Sequence, residues 1–262
     1  MLRSMYSGIS GMKNFQTKLD VIGNNIANVN TFGFKKGRVT FKDMVSQQIS
    51  GATAAANGIG GTNPKQVSLG SQLNTIDTIH TQGSLQTTSR PLDLGISGDG
   101  FFVLTKGDDT IYTRSGNFYL DNEGNVVNGD GYYLQGTEGN INIPLESQSF
   151  SIGADGSIAV VGADPAEGGL IQISKFPNPD GLQKVGQNNF VETVNSGAPN
   201  EDNITPGVGG NGTIVSGALE MSNVDLSEEF TEMIVAQRGF QSNTRIITTS
   251  DEILQELVNL KR

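Results

Sequence analysis

The last thirty-eight residues, Asp225 to Arg262, carry an apolar repeat that only a long helix can use. Leu226, Met233, Phe240, Ile247 and Leu254 recur every seven residues, and Phe230, Ile234, Ile253, Leu257 and Val258 widen that row into a stripe. Sustained seven-residue spacing keeps one apolar face of a helix turned toward a partner. Asp225 with Glu228 fits a capping box, and Glu228, Glu229 and Glu232 place negative charge in the first turns, where the helix dipole favours it. Lys261 and Arg262 complement the opposite end. At about 1.5 Å per residue the segment would reach roughly 55 Å. A helix so long and one-sided needs something to lie against.

The first residues offer a partner. Leu2, Met5, Tyr6, Ile9, Met12, Phe15, Leu19, Ile22 and Ile26 form a second helical stripe. Met5, Met12, Leu19 and Ile26 are again seven apart, so the predicted assembly seam sets them against Met233, Phe240, Ile247 and Leu254. The charges are complementary: residues 1–42 hold seven Lys or Arg against Asp20 alone, whereas residues 225–262 hold seven acids and four bases. The two helices can therefore pair with each other or with copies of themselves. Gly8, Gly11 and Gly23 permit close approach, yet each weakens an isolated helix by about 1 kcal/mol. The N-terminal helix is expected to depend on its neighbours.

Between the helices the pattern changes. Residues 24–36 are rich in Asn and Gly, which end helices by adopting left-handed conformations. Val39–Ile49 reads as a short strand or helix, and residues 50–63, small and polar, read as a flexible or extended linker. From about residue 67 to 221, short β-branched and aromatic runs such as FFVL (101–104), GYYL (131–134) and LIQISKF (170–176) alternate with Gly, Asn and Asp turns. Such runs predict antiparallel strands. The predicted fold is α+β: terminal helices forming a coiled-coil stalk, with a central all-β antiparallel domain. The predicted divisions are 1–30 for the first helix, 31–70 for an extended stretch, 71–221 for the β domain and 222–262 for the last helix.

Chemistry is conspicuously thin. A net charge of −10 argues against nucleic acid as partner. With no cysteine there are no disulfides and no thiol sites, and no apolar run is long enough to insert in a membrane. The N-terminus is amphipathic and lacks the continuous apolar core of a Sec signal. His80 is the only histidine and reads as structural; it has no nucleophile elbow beside it. The glycine clusters at 95–100 and 207–212 lack the strand–loop–helix context and lysine of a phosphate loop. Asp121–Asn125 fails the spacing of a calcium loop, and Asp108 with Asp109 reads as a hairpin tip. The reading is a non-enzymatic protein with no catalytic residues, cofactor or metal site.

Three stretches together identify a resemblance. NNIANVNTFGFKK (24–36) resembles the N-terminal signature of the bacterial flagellar rod and hook family. GDGFFVL (98–104) with YTRSGNFYLDNEGNVVNGDGYYLQG (112–136) resembles the β domain of these proteins, and residues 221–262 resemble their C-terminal helix. The resemblance implies a family-signature turn at Asn25, Asn28, Thr31, Gly33 and Phe34. It implies a homopolymer of many copies, a helical tube whose terminal helices line a central channel. It also implies an extracellular protein exported unfolded, without a Sec signal, by the flagellar type III apparatus. Phe15–Leu19 and Phe41–Val45 both fit the short patterns proposed for that export.

Within the family the C-terminal match favours a hook subunit. Such a subunit builds a curved tube that joins rod to filament and transmits torque as a universal joint. Its partners would be the distal rod protein, the hook cap and the hook–filament junction proteins. The alternative is a distal rod subunit, because the stretch 47–66 is long for a hook and is similar to an insertion that stiffens the rod. A reading from another class is a secreted β-rich binding module that uses its helices to form closed oligomers.

Overall fold

The computed structural model describes residues 2–54, 60–107, 109–162, 165–199 and 204–260. Residues 55–59 of the expected linker, Asp108 of the expected hairpin tip, and Lys261 and Arg262 lie outside the described residues. The chain has helices at both ends and antiparallel strands between them, the expected α+β arrangement. It divides into two compact units. One comprises Met1–Ile26, Gly37–Asp77 and Asp225–Arg262, the other Ala27–Lys36 and Thr78–Val224.

The first unit contains α1 (Leu2–Ala27) and α2 (Leu226–Leu260). The start of α2 is capped as its sequence demands: Asp225 Oδ1 accepts from Ser227 N at 2.8 Å and Glu228 N at 3.4 Å. Four strands complete the unit: β1 (Gly37–Asp43), β2 (Ser46–Ser50), β3 (Lys65–Ser68) and β4 (Ser71–Thr78). β1 pairs with β4, and β2 with β3 in the register Gln47 to Val67. The stretch read as a linker is therefore in part a paired ribbon. Beyond the β2–β3 ladder, Thr53 and Thr62 exchange backbone hydrogen bonds of 3.0 Å, and their hydroxyls meet at 2.7 Å. Backbone groups make most of these bonds, so small polar side chains gave no apolar alternation to betray them.

The second unit is all strand. Its elements are β5 (Leu85–Thr87), β6 (Leu94–Ser97), β7 (Phe101–Lys106), β8 (Asp109–Thr113), β9 (Tyr119–Leu120) and β10 (Val126–Val127). They continue through β11 (Tyr133–Gly136), β12 (Gly139–Asn140), β13 (Ser149–Ile152), β14 (Ile158–Val161) and β15 (Ile173–Ser174). The last are β16 (Gln183–Gly186), β17 (Asn189–Val191), β18 (Thr213–Ser216) and β19 (Ala218–Glu220). The largest sheet runs β16-β17-β8-β7-β11-β10-β9, with β12 added to β11 and β15 to β7. Small ladders join β13 to β14, β18 to β6 and β19 to β5.

β7 explains why FFVL is a continuous apolar run. Phe102 and Leu104 point into a core shared with Ile96, Phe118, Leu134, Ile141 and Ile173. Phe101 and Val103 point the other way, into a second cluster with Tyr112, Phe176, Leu182 and Phe190. A strand covered on both faces has no polar side to alternate with. Phe102 is fully buried and meets Phe118 edge-on at 5.3 Å. Phe102→Ala is expected to cost about 3–5 kcal/mol in urea unfolding. Val45→Ser, at an exposed position, should stay within about 0.5 kcal/mol of the parent.

Candidate functional site

The two helices of the first unit lie antiparallel, as their contacts show. A Cβ on Gly8 would sit 3.3 Å from Ile247, one on Gly11 2.8 Å from Asn243, and one on Gly239 2.5 Å from the Phe15 ring. Lys18 pairs with Glu232, and Asn25 Nδ2 donates to Glu229 Oε2 at 3.2 Å. Partner numbers fall along α2 as they rise along α1. Glycine at these points lets the helix backbones approach more closely than any side chain would allow.

The closest-packed row of α2 is Glu229, Ala236, Asn243 and Ser250, again seven apart; Glu229, Ala236 and Ser250 are buried. The predicted row flanks it. Met233, Ile247 and Leu254 are half-buried and Phe240 is on the exposed side, while Met5, Met12, Leu19 and Ile26 are half-buried on α1. Ile247 meets Gly8, and Met12 Sδ accepts from the Thr244 hydroxyl at 3.4 Å. Apolar periodicity missed the inner row because its residues are small or polar. Phe230, Ile234, Val235, Ile253, Leu257 and Val258 remain about half exposed or more, so a broad apolar face of α2 has no cover in the single chain.

The signature residues serve each unit separately. In the first, Asn25 makes a reciprocal pair with Gly37: its Nδ2 donates to Gly37 O and its Oδ1 accepts from Gly37 N, both at 2.9 Å. The side-chain amide thus copies a strand pairing and fixes the entry to β1. In the second unit Thr31 N and Oγ1 donate to Asn28 O and Oδ1 at 3.1 and 3.2 Å. Gly33 has φ +69, and a Cβ there would sit 2.7 Å from the Arg114 carbonyl carbon. Glycine alone satisfies both conditions. Phe34 is buried, with Lys184 Nζ 5.3 Å from its ring centre.

Beside that turn lies a buried charge network. Lys35 Nζ donates to Glu220 Oε1 at 2.6 Å and to Thr81 O at 2.8 Å. Arg114 donates to Glu220 Oε2 at 3.2 Å and to Gly98 O at 2.7 Å, and Gly83 N adds a bond to Oε1 at 2.9 Å. All three charged side chains are almost fully shielded. Burial pushes both cations below their ordinary pKa, and Glu220 opposes that push. Sequence reasoning missed this network, since no spacing rule links residues 35, 114 and 220.

His80 is sandwiched by Phe101 and Phe190, with ring centres 5.6 and 5.5 Å away. Its Nδ1 is buried without a hydrogen-bond partner. Burial first, then the charges of Lys35, Lys184 and Arg114, push its pKa down to about 4. The neutral ring is a packing element here. Among the described residues no cluster of His, Cys, Asp or Glu could hold a metal, and no helix is long and apolar enough to cross a membrane.

Antiparallel terminal helices with an uncovered apolar face, a glycine turn locked by an ion network and a β unit match known proteins along nearly the whole chain. Residues 5–35 match the flagella basal body rod protein family, and residues 95–160 the flagellar hook protein FlgE/F/G D1 domain. Residues 215–260 match the flagellar basal body rod FlgEFG protein C-terminal. A flagellar basal-body rod protein FlgG of Bacillus subtilis (strain 168) is 65% identical over all of both chains. A FlgG of Borreliella burgdorferi is 39% identical and a flagellar hook protein FlgE of the same organism 32% identical, each with both chains covered throughout. The chain belongs to the flagellar rod and hook (FlgEFG) family, whose members are structural components of the basal body, rod and hook in motility and are not enzymes.

The expectation of a hook subunit is overturned by the 65% full-length identity to a rod protein, about twice that to the hook protein. The C-terminal helix could not discriminate, because one family pattern describes it for FlgE, FlgF and FlgG alike. The stretch 47–66, which pointed toward the rod, contributes to the β2–β3 ribbon.

Two outcomes follow from the network and the ring. Glu220→Gln leaves Lys35 and Arg114 buried without a carboxylate and should destabilise the protein by about 3–5 kcal/mol, read from denaturant midpoints. His80 is neutral in the folded protein down to about pH 4, but in the unfolded chain it takes a proton below about 6.5. Its contribution is therefore complete above pH 6.5 and is lost as pH falls from 6.5 toward 4, by up to about 3 kcal/mol. His80→Leu should flatten that part of the stability–pH curve; an unchanged slope would assign the acid sensitivity elsewhere.

Proposed function

We propose that this chain is a distal rod subunit of the bacterial flagellum, a segment of the drive shaft that carries motor torque toward the hook. The observation that carries the reading is full-length similarity to FlgG at 65% identity. Physical support comes from α2, whose exposed apolar stripe is suited to burial between copies of the chain. Met5, Met12, Leu19, Ile26, Met233, Phe240, Ile247 and Leu254 flank the intramolecular seam and are the residues we assign to contacts between subunits. The terminal helices would line a central channel, and the subunit would leave the cytosol unfolded through the flagellar type III apparatus. Its partners are then copies of itself and the axial proteins on either side of the distal rod. The hook cap and hook–filament junction proteins belonged to the hook reading and fall away with it.

The ribbon of β2 and β3 suits a shaft better than a joint. Its strands are tied by backbone hydrogen bonds, with Val45 exposed just before β2 and Ile49 exposed within it. Electron microscopy of the purified protein, concentrated in polymerising salt, should show straight, rigid tubes with a narrow channel. Curved, flexible tubes or small closed oligomers would overturn the reading. Phe240→Asp should abolish polymer, because full burial of a Phe side chain is worth about 1.5–3 kcal/mol per subunit and a carboxylate reverses its sign. Undiminished polymer from that variant would remove the assigned seam.

A further inference from the structure

An Asn–Gly pair is a point at which the backbone can attack its own side chain, because glycine leaves the following amide nitrogen unshielded. The chain has three, Asn57–Gly58, Asn128–Gly129 and Asn211–Gly212. The first lies outside the described residues, and the second unit holds the other two in opposite states. Asn128 opens the turn that joins β10 to β11. Its backbone N donates to Tyr132 O at 3.0 Å, and its own O accepts from Gly131 N at 3.1 Å. Its side-chain Oδ1 accepts from Asp130 N and from Tyr132 N, both at 2.9 Å. Two backbone donors on one amide oxygen draw electron density from Cγ, and they are placed to hold the negative charge that oxygen gains when Cγ is attacked. Gly129 is exposed, a Cβ on it would meet nothing within 4 Å, and its N–H has no hydrogen-bond partner among the described residues. The attacking nitrogen is therefore open to water.

Asn211 is arranged against the same reaction. It is buried, and its Nδ2, the nitrogen that would leave, donates to Ile173 O at 3.2 Å and to Thr205 O at 3.3 Å. Gly212 N donates to Asp99 O at 2.7 Å, and a Cβ on Gly212 would sit 2.7 Å from Ser97 O. The bond from Gly212 N must break, inside packed backbone, before that nitrogen can turn on Cγ.

We propose that Asn128 is a site of self-modification, at which the Gly129 nitrogen attacks Cγ and the side chain deamidates, and that the fold protects Asn211. The N–Cγ bond forms as Gly129 N gives its proton to water or hydroxide; the Cγ–Nδ2 bond breaks, and ammonia leaves. Water then opens the cyclic imide at either carbonyl, leaving aspartate or its β-linked isomer at position 128. The aspartate can keep both accepted bonds but places a negative charge beside exposed Asp130. The isomer adds a methylene to the main chain at the turn that sets Val127 opposite Tyr133. None of this depends on polymer formation.

Trypsin places the three pairs on separate peptides, 43–65, 115–175 and 185–238. The full-length protein is held folded at mildly alkaline pH, with a second sample in urea. Each peptide is followed by mass, with fragmentation to place the change, since exchange of the amide nitrogen for oxygen adds about 1 Da. In urea Asn128 and Asn211 should convert at similar rates. In the folded protein Asn128 should convert at least as fast as in urea, and Asn211 about tenfold more slowly than Asn128 or slower still, because its bonds must first be broken. Gly129→Ala, which has room for its Cβ, should suppress the mass gain at position 128 and leave the unfolding midpoint in place. Slower conversion of Asn128 in the fold than in urea, or equal conversion at both positions in the fold, would overturn the proposal. An undiminished mass gain at position 128 in Gly129→Ala would rule out the Gly129 nitrogen as the attacking group and sink it as well.

Discussion

A single buried carboxylate, Glu220, fixes much of the second unit. Its two oxygens bind Lys35, Arg114 and the Gly83 backbone, and its own carbonyl accepts from Gly33 N at 2.8 Å. Three segments far apart in sequence, at 33–35, 83 and 114, thus converge on one residue at the end of β19. Two cations around one anion in a dry interior are costly unless every bond is made. The remaining donors find backbone carbonyls, Thr81 for Lys35 and Gly98 for Arg114. This arrangement gives the family-signature turn a physical meaning. Gly33 must lack a Cβ to lie on the Arg114 backbone, and Lys35 must follow at the right distance to reach the carboxylate.

The network also revises the charge argument drawn from the sequence. Lys35 counts among the basic residues of the N-terminal region, but its charge is spent on Glu220 inside the β unit. A direct ion pair between the helices joins Lys18 to Glu232. Charge totals over a segment cannot separate a solvated lysine from a buried one. The same limit applied to the helix seam. Both helices, the Asp225 cap and a strand at FFVL were readable because apolar pattern and capping chemistry are local, whereas the burial of that strand on both faces is seen only in the structure. The inner seam was not readable, because Gly8, Gly11, Ala236 and Gly239 are chosen for the space they leave. Hydrophobic periodicity registers side chains that fill a gap and is blind to side chains that keep it narrow.

That distinction gives the flanking heptad its significance. Because small residues close the intramolecular seam, the large apolar side chains are displaced to its edges and onto the outer face of α2. A helix that needed them for its own pairing would bury them; here Phe230, Ile234, Leu257 and Val258 stay in water. Burying such side chains is worth roughly 25 cal/mol per Å². The isolated chain forgoes that stabilisation, and contact with other chains can recover it. The uncovered side chains belong to the stripe that widens the seven-residue row in the sequence, beside the row read as the seam.

Hook and rod share this chemistry, which is why the C-terminal match led to the hook, the choice that the full-length similarity to a rod protein overturns. The N-terminal segment, the β unit and the C-terminal helix match patterns that rod and hook proteins share. Residues 50–63 are poor in apolar residues and read as a flexible or extended linker, yet Thr53 and Thr62 bridge beyond the β2–β3 ladder by backbone bonds that composition does not encode. Two strands bonded to each other resist extension along their length, whereas an unpaired chain of the same composition has little resistance beyond its entropy. Stiffness can thus be written in backbone pairing and leave almost no mark in hydrophobic pattern.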